Sequence, residues 1–250
     1  MAVTIKSARE IELMREAGKI LADVHEQLGA FIRPGISTQD IDMLGEKLIR
    51  SYGCTPNFLN YNGYPASICV SVNDEVVHGI PRADHILKEG DIVSLDAGLI
   101  YKGYHSDAAR THAVGQISGE ARKLIEVTKQ SFFVGIQAAR EGNHLHQISA
   151  AIDDYVSGFG YGIVRDLVGH GIGTHLHEDP QIPNFRQRRR GLRLQAGMTL
   201  AVEPMINAGG WRVDWQDDGW TVTTADHSLS AHYENTILIT EGEPEILTLC

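Results

Sequence analysis

The 250-residue chain is poor in cysteine: Cys54, Cys69 and Cys250 are an odd number without a C-x-x-C pair. That argues against a disulfide framework and a thiolate zinc module, so any bound metal must be held by oxygen and imidazole. Long apolar runs are also missing, and none approaches the roughly 20 residues of a membrane span. Lys6, Arg9, Glu10, Glu12, Arg15 and Glu16 break up the start, leaving no apolar core for a signal peptide. A soluble, cytoplasmic protein with no membrane partner is expected. Basic residues are outnumbered, 22 Lys and Arg against 32 Asp and Glu, giving a formal charge of −10. This disfavours a general nucleic-acid binder, which needs cations to neutralise phosphates. No low-complexity linker interrupts the chain, and its 42% hydrophobic residues suffice for one large core or two fused halves.

What the chain does have is an internal echo. Gly35 and Gly142, Ile41 and Ile148, Gly53 and Gly160, Gly90 and Gly197, and Asp96 and Glu203 are each 107 apart by subtraction of residue numbers. Leu87 to Asp96 (LKEGDIVSLD) aligns with Leu194 to Glu203 (LQAGMTLAVE). Each half therefore reads as two helices followed by strands, with a carboxylate ending the same strand. Ser7 and Glu10 form a capping box, and Ile11, Met14, Gly18, Leu21, Val24, Leu28 and Phe31 keep one helical face until Arg33-Pro34-Gly35. Further helices are predicted from Ser37 to Asp40 onward, from about Gly119 to Arg140 and from about Leu145 to Ser157. The expected fold is α+β: a single domain over 1–250 with pseudo-symmetric halves at about 1–115 and 116–250. A central, mainly antiparallel sheet would carry helices on its outer face.

Acids in apolar strands supply the chemistry. The Ile, Val and Leu-rich strand holding Asp96 runs to a turn at Lys102-Gly103. A two-residue loop there sets Asp96 opposite Ala109 and puts Asp107 on the same face, whereas a three-residue loop changes the parity. Adjacent like charges need a cation or a shared proton, although either acid taken alone could be an ordinary surface group. Gly169-His170-Gly171-Ile172-Gly173 offers an unobstructed imidazole, and Glu203 and Glu234 sit in apolar segments where an unpartnered glutamate is rare. Asp96, Asp107, His170, Glu203 and Glu234 form a hard, oxygen-rich set suited to two ions such as Co, Mn or Fe(II), with Zn and Ni as further candidates. Two ions about 3.5–4 Å apart can lower the pKa of a water from 15.7 to about 7, which makes hydrolysis the natural reaction.

With Ser71-Val72-Asn73, His78-Gly79-Ile80-Pro81, His177-Glu178-Asp179-Pro180, Glu203-Pro204-Met205 and Glu234-Asn235-Thr236, this order of residues resembles the type I methionine aminopeptidases of bacterial kind. The likeness covers nearly the whole chain. It implies an M24 metallopeptidase with the pita-bread fold that removes the initiator methionine from nascent polypeptide N-termini when the second residue is small. By that resemblance Asp107 and Glu234 bridge two divalent metal ions, Asp96 completes one, and His170 with Glu203 completes the other. Glu203 is also the general base, His177 stabilises the oxyanion, and His78 contacts the peptide on the leaving-group side and helps move the proton. The methionine pocket falls to Phe58, Tyr61, Tyr64, Cys69, Leu176 and Trp220, whose aromatic and sulfur character suits a thioether; Phe58 and Leu176 depart from the usual family residues. The chain's own Met1-Ala2 start has a small second residue.

Arg186, Arg188, Arg189, Arg190 and Arg193 form a basic loop that departs from the family wording. It could be a solvated face or a transient contact with ribosomal RNA. His112, His144 and His146 are expected at the surface, His175 has no required role, Cys54 and Cys250 have none assigned, and Cys69 is expected to be a wall rather than a nucleophile. A monomer is expected. Two rivals remain. A proline-specific peptidase would share all five ligands but carry a large extra amino-terminal domain, and a catalytically dead peptide-binding module would be expected to have lost ligands.

Overall fold

The structure, a computed structural model, describes residues 3–249. Met1, Ala2 and Cys250 lie outside the described residues, and with them the Met1-Ala2 start and the unassigned thiol of Cys250. The first part of the chain forms α1 (Ala8–Phe31), α2 (Thr38–Ser51), β1 (Thr55–Pro56), β2 (Ile68–Val72), β3 (Glu75–Val77), β4 (Ile92–Tyr101) and β5 (Tyr104–Ala113). The rest forms α3 (Gly119–Ile136), α4 (Leu145–Ser157), β6 (Gly162–Ile163), β7 (Gly169–Gly171), β8 (Glu178–Ile182), β9 (Thr199–Val202), β10 (Met205–Asn207), β11 (Val213–Trp215), β12 (Val222–Thr224), β13 (Ser230–His232), β14 (Glu234–Leu238) and β15 (Glu245–Ile246).

Local chemistry starts the helices. The Ser7 hydroxyl accepts from the Glu10 N–H while Glu10 reaches back to the Ser7 N–H, and Ser37 with Asp40 repeats the arrangement at α2. Ser118 caps α3 through the Ala121 N–H. The third helix ends at Ile136, four residues short of the predicted Arg140. Ala138 and Ala139 tighten onto the carbonyls of Gly135 and Ile136, and the Asn143 amide donates to Ala138 O at 3.0 Å, a contact from beyond the helix that unwinds its end.

The central sheet has nine antiparallel strands in the order β1-β4-β5-β14-β9-β7-β8, with β2 also on β4 and β15 on β14. Alternation sorts its faces. Val93, Leu95, Ala97 and Leu99 of β4, with Ala108 of β5, pack under α1 and α2 among Ala17, Leu21, Val24, Leu28, Ile41 and Ile49. Leu200 and Val202 of β9 and Ile237 of β14 pack with Leu124, Phe132, Ile148 and Ile152 of α3 and α4. The intervening positions, Asp96, Asp107, Glu234 and Ala201, face the other way. Helices cover one face and leave the acids on the other.

The echo of 107 is structural as well. The starts of α2 and α4, Thr38 and Leu145, and of β4 and β9, Ile92 and Thr199, are separated by that same 107. The paired turn glycines match in backbone angle: φ is 90° at Gly35 and 87° at Gly142, and 94° at Gly90 and 90° at Gly197. These left-handed values admit glycine at little cost.

One glycine serves packing instead. A Cβ on Gly18, inside α1, would lie 2.1 Å from the Leu247 carbonyl oxygen of the carboxy-terminal segment. Gly18→Ala is therefore expected to destabilise by about 1–3 kcal/mol, although alanine is the better helix former by about 1 kcal/mol. Urea unfolding decides between them: a stabilised variant would show that α1 and the carboxy-terminal segment are not in contact. His112, expected at the surface, is instead packed on α1: a Cβ at Gly29 would meet its ring at 2.6 Å, and its Nε2 is buried. His144 and His146 sit at the rim, their Nδ1 atoms against the carbonyls of Gly191 and Arg190 at the end of the arginine loop. No helix among the described residues is long and apolar enough to cross a membrane.

Candidate metal centre

The hairpin between β4 and β5 has the two-residue loop that the parity argument required. Tyr101 pairs with Tyr104, Asp96 with Ala109 and Gly98 with Asp107, so the two aspartates share a face. Lys102 and Gly103 both have positive φ, 49° and 87°, the geometry whose twist matches a tight hairpin. Gly98 gives Asp107 its space, since a Cβ there would lie 3.0 Å from Asp107 Oδ1. The Asp107 backbone is clamped by Thr236, whose hydroxyl accepts its N–H at 3.1 Å and donates to its carbonyl at 2.9 Å.

Neighbouring strands bring the rest. Glu234 of β14 pairs with Ala109, and Asn235 pairs with Val202, so Glu203, next along the chain, lies beside Glu234. His170 of β7 pairs with Ala201. One potential ligand atom from each of Asp107, His170 and Glu234 lies within 4.8 Å of the others. His170 Nε2 is 3.7 Å from Glu203 Oε1 and 3.9 Å from Asp107 Oδ2. Asp96 lines the same cavity.

These acids are nearly out of solvent: Asp107 is 4% exposed and Glu234 2%. Burial pushes Asp96 up to about 7 and Glu203 up to about 8. Asp107 and Glu234 are raised well above the carboxylate range by burial and then by the other acids. Asp96 Oδ1, Asp107 Oδ1 and Glu234 Oε1 are buried with no hydrogen-bond partner among the described residues. His170 donates from Nδ1 to its neighbour's carbonyl, Gly171 O, at 2.9 Å, leaving the Nε2 lone pair towards the carboxylates. Unpartnered oxygens, clustered like charges and an imidazole lone pair together fit a cation. From the far side, Arg110 donates to the Glu234 carbonyl and to Asn235 Oδ1, fixing the strand beneath the acid.

The cavity, about 260 Å³, is also lined by every residue singled out for the methionine pocket, namely Phe58, Tyr61, Tyr64, Cys69, Leu176 and Trp220, and by His78 and His177. Tyr64 and Trp220 meet edge to face at 5.2 Å, and Trp220 meets His78 likewise at 6.3 Å. Burial raises the Cys69 thiol well above its usual range, keeping it protonated and apolar in character. His78 holds a left-handed backbone, φ 59°, and burial lowers its ring to about 4. The Tyr61 hydroxyl is 2.7 Å from His177 Nδ1, and the His177 and His170 rings meet edge-on at 4.3 Å.

The structure adds residues that the sequence reading did not single out. Asn62, Val77, Leu167, Val168 and Met205 also line the cavity. His232, 1% exposed, has its Nε2 3.6 Å from Glu203 Oε2, and both ring nitrogens are buried without hydrogen-bond partners among the described residues. Its spacing of two from Glu234 was the available signal.

Comparison with known proteins agrees. The profile of metallopeptidase family M24 matches residues 12–241. A methionine aminopeptidase of Clostridium acetobutylicum is 53% identical over 248 residues, covering 99% of each chain. The crystal structure of methionine aminopeptidase from Rickettsia prowazekii superposes with a TM-score of 0.97 at 40% identity, covering 99% of this chain and 100% of that one. A Xaa-Pro dipeptidase from Bacillus anthracis reaches 0.79 at 28% identity, with 98% of this chain matching 61% of that longer one. Asp96 lies inside β4 rather than at its end, while its counterpart Glu203 follows β9. Acids facing one cavity, an imidazole aimed between them and full-length likeness nevertheless lead to one assignment: the chain belongs to metallopeptidase family M24, among the methionine aminopeptidases.

Proposed function

We propose that the chain is a cytoplasmic, monomeric metalloaminopeptidase that removes methionine from nascent polypeptide N-termini when the second residue is small. The carrying observation is a single cavity lined by both the acid and imidazole cluster and an apolar, largely aromatic wall. Asp96, Asp107, His170, Glu203 and Glu234 would hold two divalent ions, Co, Mn or Fe(II) by the hardness of the donors, with Zn and Ni as further candidates. Such ions supply Lewis acidity, polarising the scissile carbonyl and easing deprotonation of water.

The remaining work falls to side chains. Glu203 takes the proton of the attacking water. The Tyr61 hydroxyl lies 2.7 Å from His177 Nδ1; in this reading it donates there, which leaves the proton on Nε2 to be donated to the developing oxyanion. His78, held neutral by burial, contacts the peptide and helps pass a proton to the leaving amine. Tyr64, Trp220, Phe58 and Leu176 exclude water and orient the methionine side chain. The assay is release of the first residue from short peptides after chelation and return of one metal at a time. Met-Ala-Ser should be cleaved, Ala-Ala-Ser at least about 100-fold more slowly for loss of the pocket contact, and Xaa-Pro dipeptides not at all. Metal-independent cleavage, or preference for Xaa-Pro, would overturn the reading.

The exposed arginine loop is read as a transient ribosome contact through Arg186, Arg188, Arg189 and Arg190. It is a basic stretch on an acidic chain, although Arg186 is already paired with Asp154. Neutralising these four should weaken co-sedimentation with ribosomes and flatten its salt dependence. Unchanged binding would retire this contact.

A further inference from the structure

We propose that Lys6, in the segment ahead of α1, is a positioning residue for His177, acting through the carboxylate of Glu178. This deepens the role proposed for His177 and rests on it. The strands β7 and β8 pair Gly171 with Glu178, so residues 172–177 form the loop between them, carrying Leu176 and His177 to the cavity. The first half of that loop is tied elsewhere: Ile172 N–H donates to Thr199 O, and Gly173 O accepts from His105 N–H at 2.8 Å. The second half is held by Glu178, which turns back so that Oε1 accepts the His175 N–H at 3.2 Å.

Glu178 keeps that orientation because a cation waits for it inside. Lys6 Nζ lies 2.8 Å from Glu178 Oε2, with the two side chains 5% and 3% exposed. The Thr4 hydroxyl donates to the same oxygen at 2.8 Å. A carboxylate so buried stays ionised only if paired, so without Lys6 it would take up a proton or turn out to water. Either change loosens the bond to His175 and the backbone that His177 shares.

The lysine's place is built into the fold. A Cβ on Gly173 would lie 2.5 Å from Lys6 Cε and 2.7 Å from Nζ. On the other side, Lys6 N–H donates to Gly197 O at 2.8 Å, and a Cβ on Gly197 would lie 3.1 Å from Lys6 O. The third glycine of Gly169-His170-Gly171-Ile172-Gly173 is thus explained by the lysine packed against it.

The test compares Lys6→Met, Glu178→Gln, Lys6→Arg and His177→Ala, each checked for folding by thermal unfolding. Lys6→Met and Glu178→Gln should lower kcat by about 10- to 100-fold with a much smaller change in KM, the scale of a misplaced group. Lys6→Arg, which keeps the charge, should recover part of the loss. In a His177→Ala background, Lys6→Met should cost nothing further. In metal-free, histidine-labelled protein, the His177 ring signal should shift in Lys6→Met and Glu178→Gln. An unshifted signal in either folded variant overturns the tether, as does an equal kcat loss with and without His177. Wild-type turnover in His177→Ala overturns the role of His177 and the kinetic part of this proposal, while the ring signal still decides the tether. Should Lys6→Met fail to fold, Glu178→Gln carries the same comparisons.

Discussion

Glu203→Gln, assayed at saturating metal, is expected to lower kcat on Met-Ala-Ser by about 10³-fold or more, with KM within about threefold of the parent, because it removes a general base and weakens one metal ligand without removing the pocket. The amide has nearly the same shape but cannot accept the water's proton. Glu203 suits the task by position: it follows β9, beside Glu234 and 3.7 Å from the His170 ring. Its burial, which alone raises it to about 8, makes it a strong proton acceptor, and divalent charge beside it favours the ionised form. His177→Ala should cost about 10²-fold, the scale of one lost oxyanion donor. Near-parental turnover by Glu203→Gln would assign the proton to another group, with His232 the nearest alternative.

In chelated protein the buried acids are expected to cost stability as pH rises from about 4 to about 8, the reverse of the behaviour of salt-bridged carboxylates. Buried histidines such as His78 and His232, lowered by burial, gain stability up to about pH 6.5, so comparing the parent with Asp96→Asn isolates the carboxyl part. Asp96 is raised from 3.8 to about 7 and Glu203 from 4.5 to about 8, both through burial. A carboxyl with a raised folded-state pKa contributes stability that is complete below its unfolded value and lost as pH climbs through the folded one. For Asp96 the full change, spread from about pH 4 to above pH 7, is on the order of 4 kcal/mol at about 1.4 kcal/mol per pKa unit, equivalent to roughly 10 °C in Tm for a chain of this size. Asp96→Asn removes that titration, so the gap between variant and parent should widen with pH. Adding Mn or Co should reverse the trend, because metal binding prefers deprotonated ligands. At about 100 times Kd the gain is about 2.7 kcal/mol. A gap between parent and Asp96→Asn that stays constant with pH in chelator would mean that the acids are not desolvated together.

The convergence of Asp96, Asp107 and Glu203 was legible because strand alternation is a strong constraint, whereas His170 and Glu234 were joined to them by their donor chemistry and by the resemblance. Once the loop at Lys102-Gly103 is known to have two residues, Asp96 and Asp107 must share a face, and the offset of 107 carries the same logic to Glu203. Turn glycines also showed through, since left-handed backbone at Gly35, Gly90, Gly142 and Gly197 leaves a residue-level mark. Tertiary effects did not. The end of α3 is set by Asn143 folding back on Ala138, and His112 is hidden by the close approach of Gly29. Lys6 and Glu178 are 172 positions apart, so no local pattern could join them. His232 was missed because a histidine in an apolar strand resembles any satisfied core histidine until its unpartnered nitrogens are seen.

The most direct measurement is anomalous diffraction at the manganese edge from crystals grown in Mn. The expected result is a pair of peaks enclosed by Asp96, Asp107, His170, Glu203 and Glu234, with Tyr64 and Trp220 walling the adjoining space. Peaks confined to surface acids such as Asp214, Asp217 and Asp218, with none among those five residues, would contradict the hydrolytic centre itself.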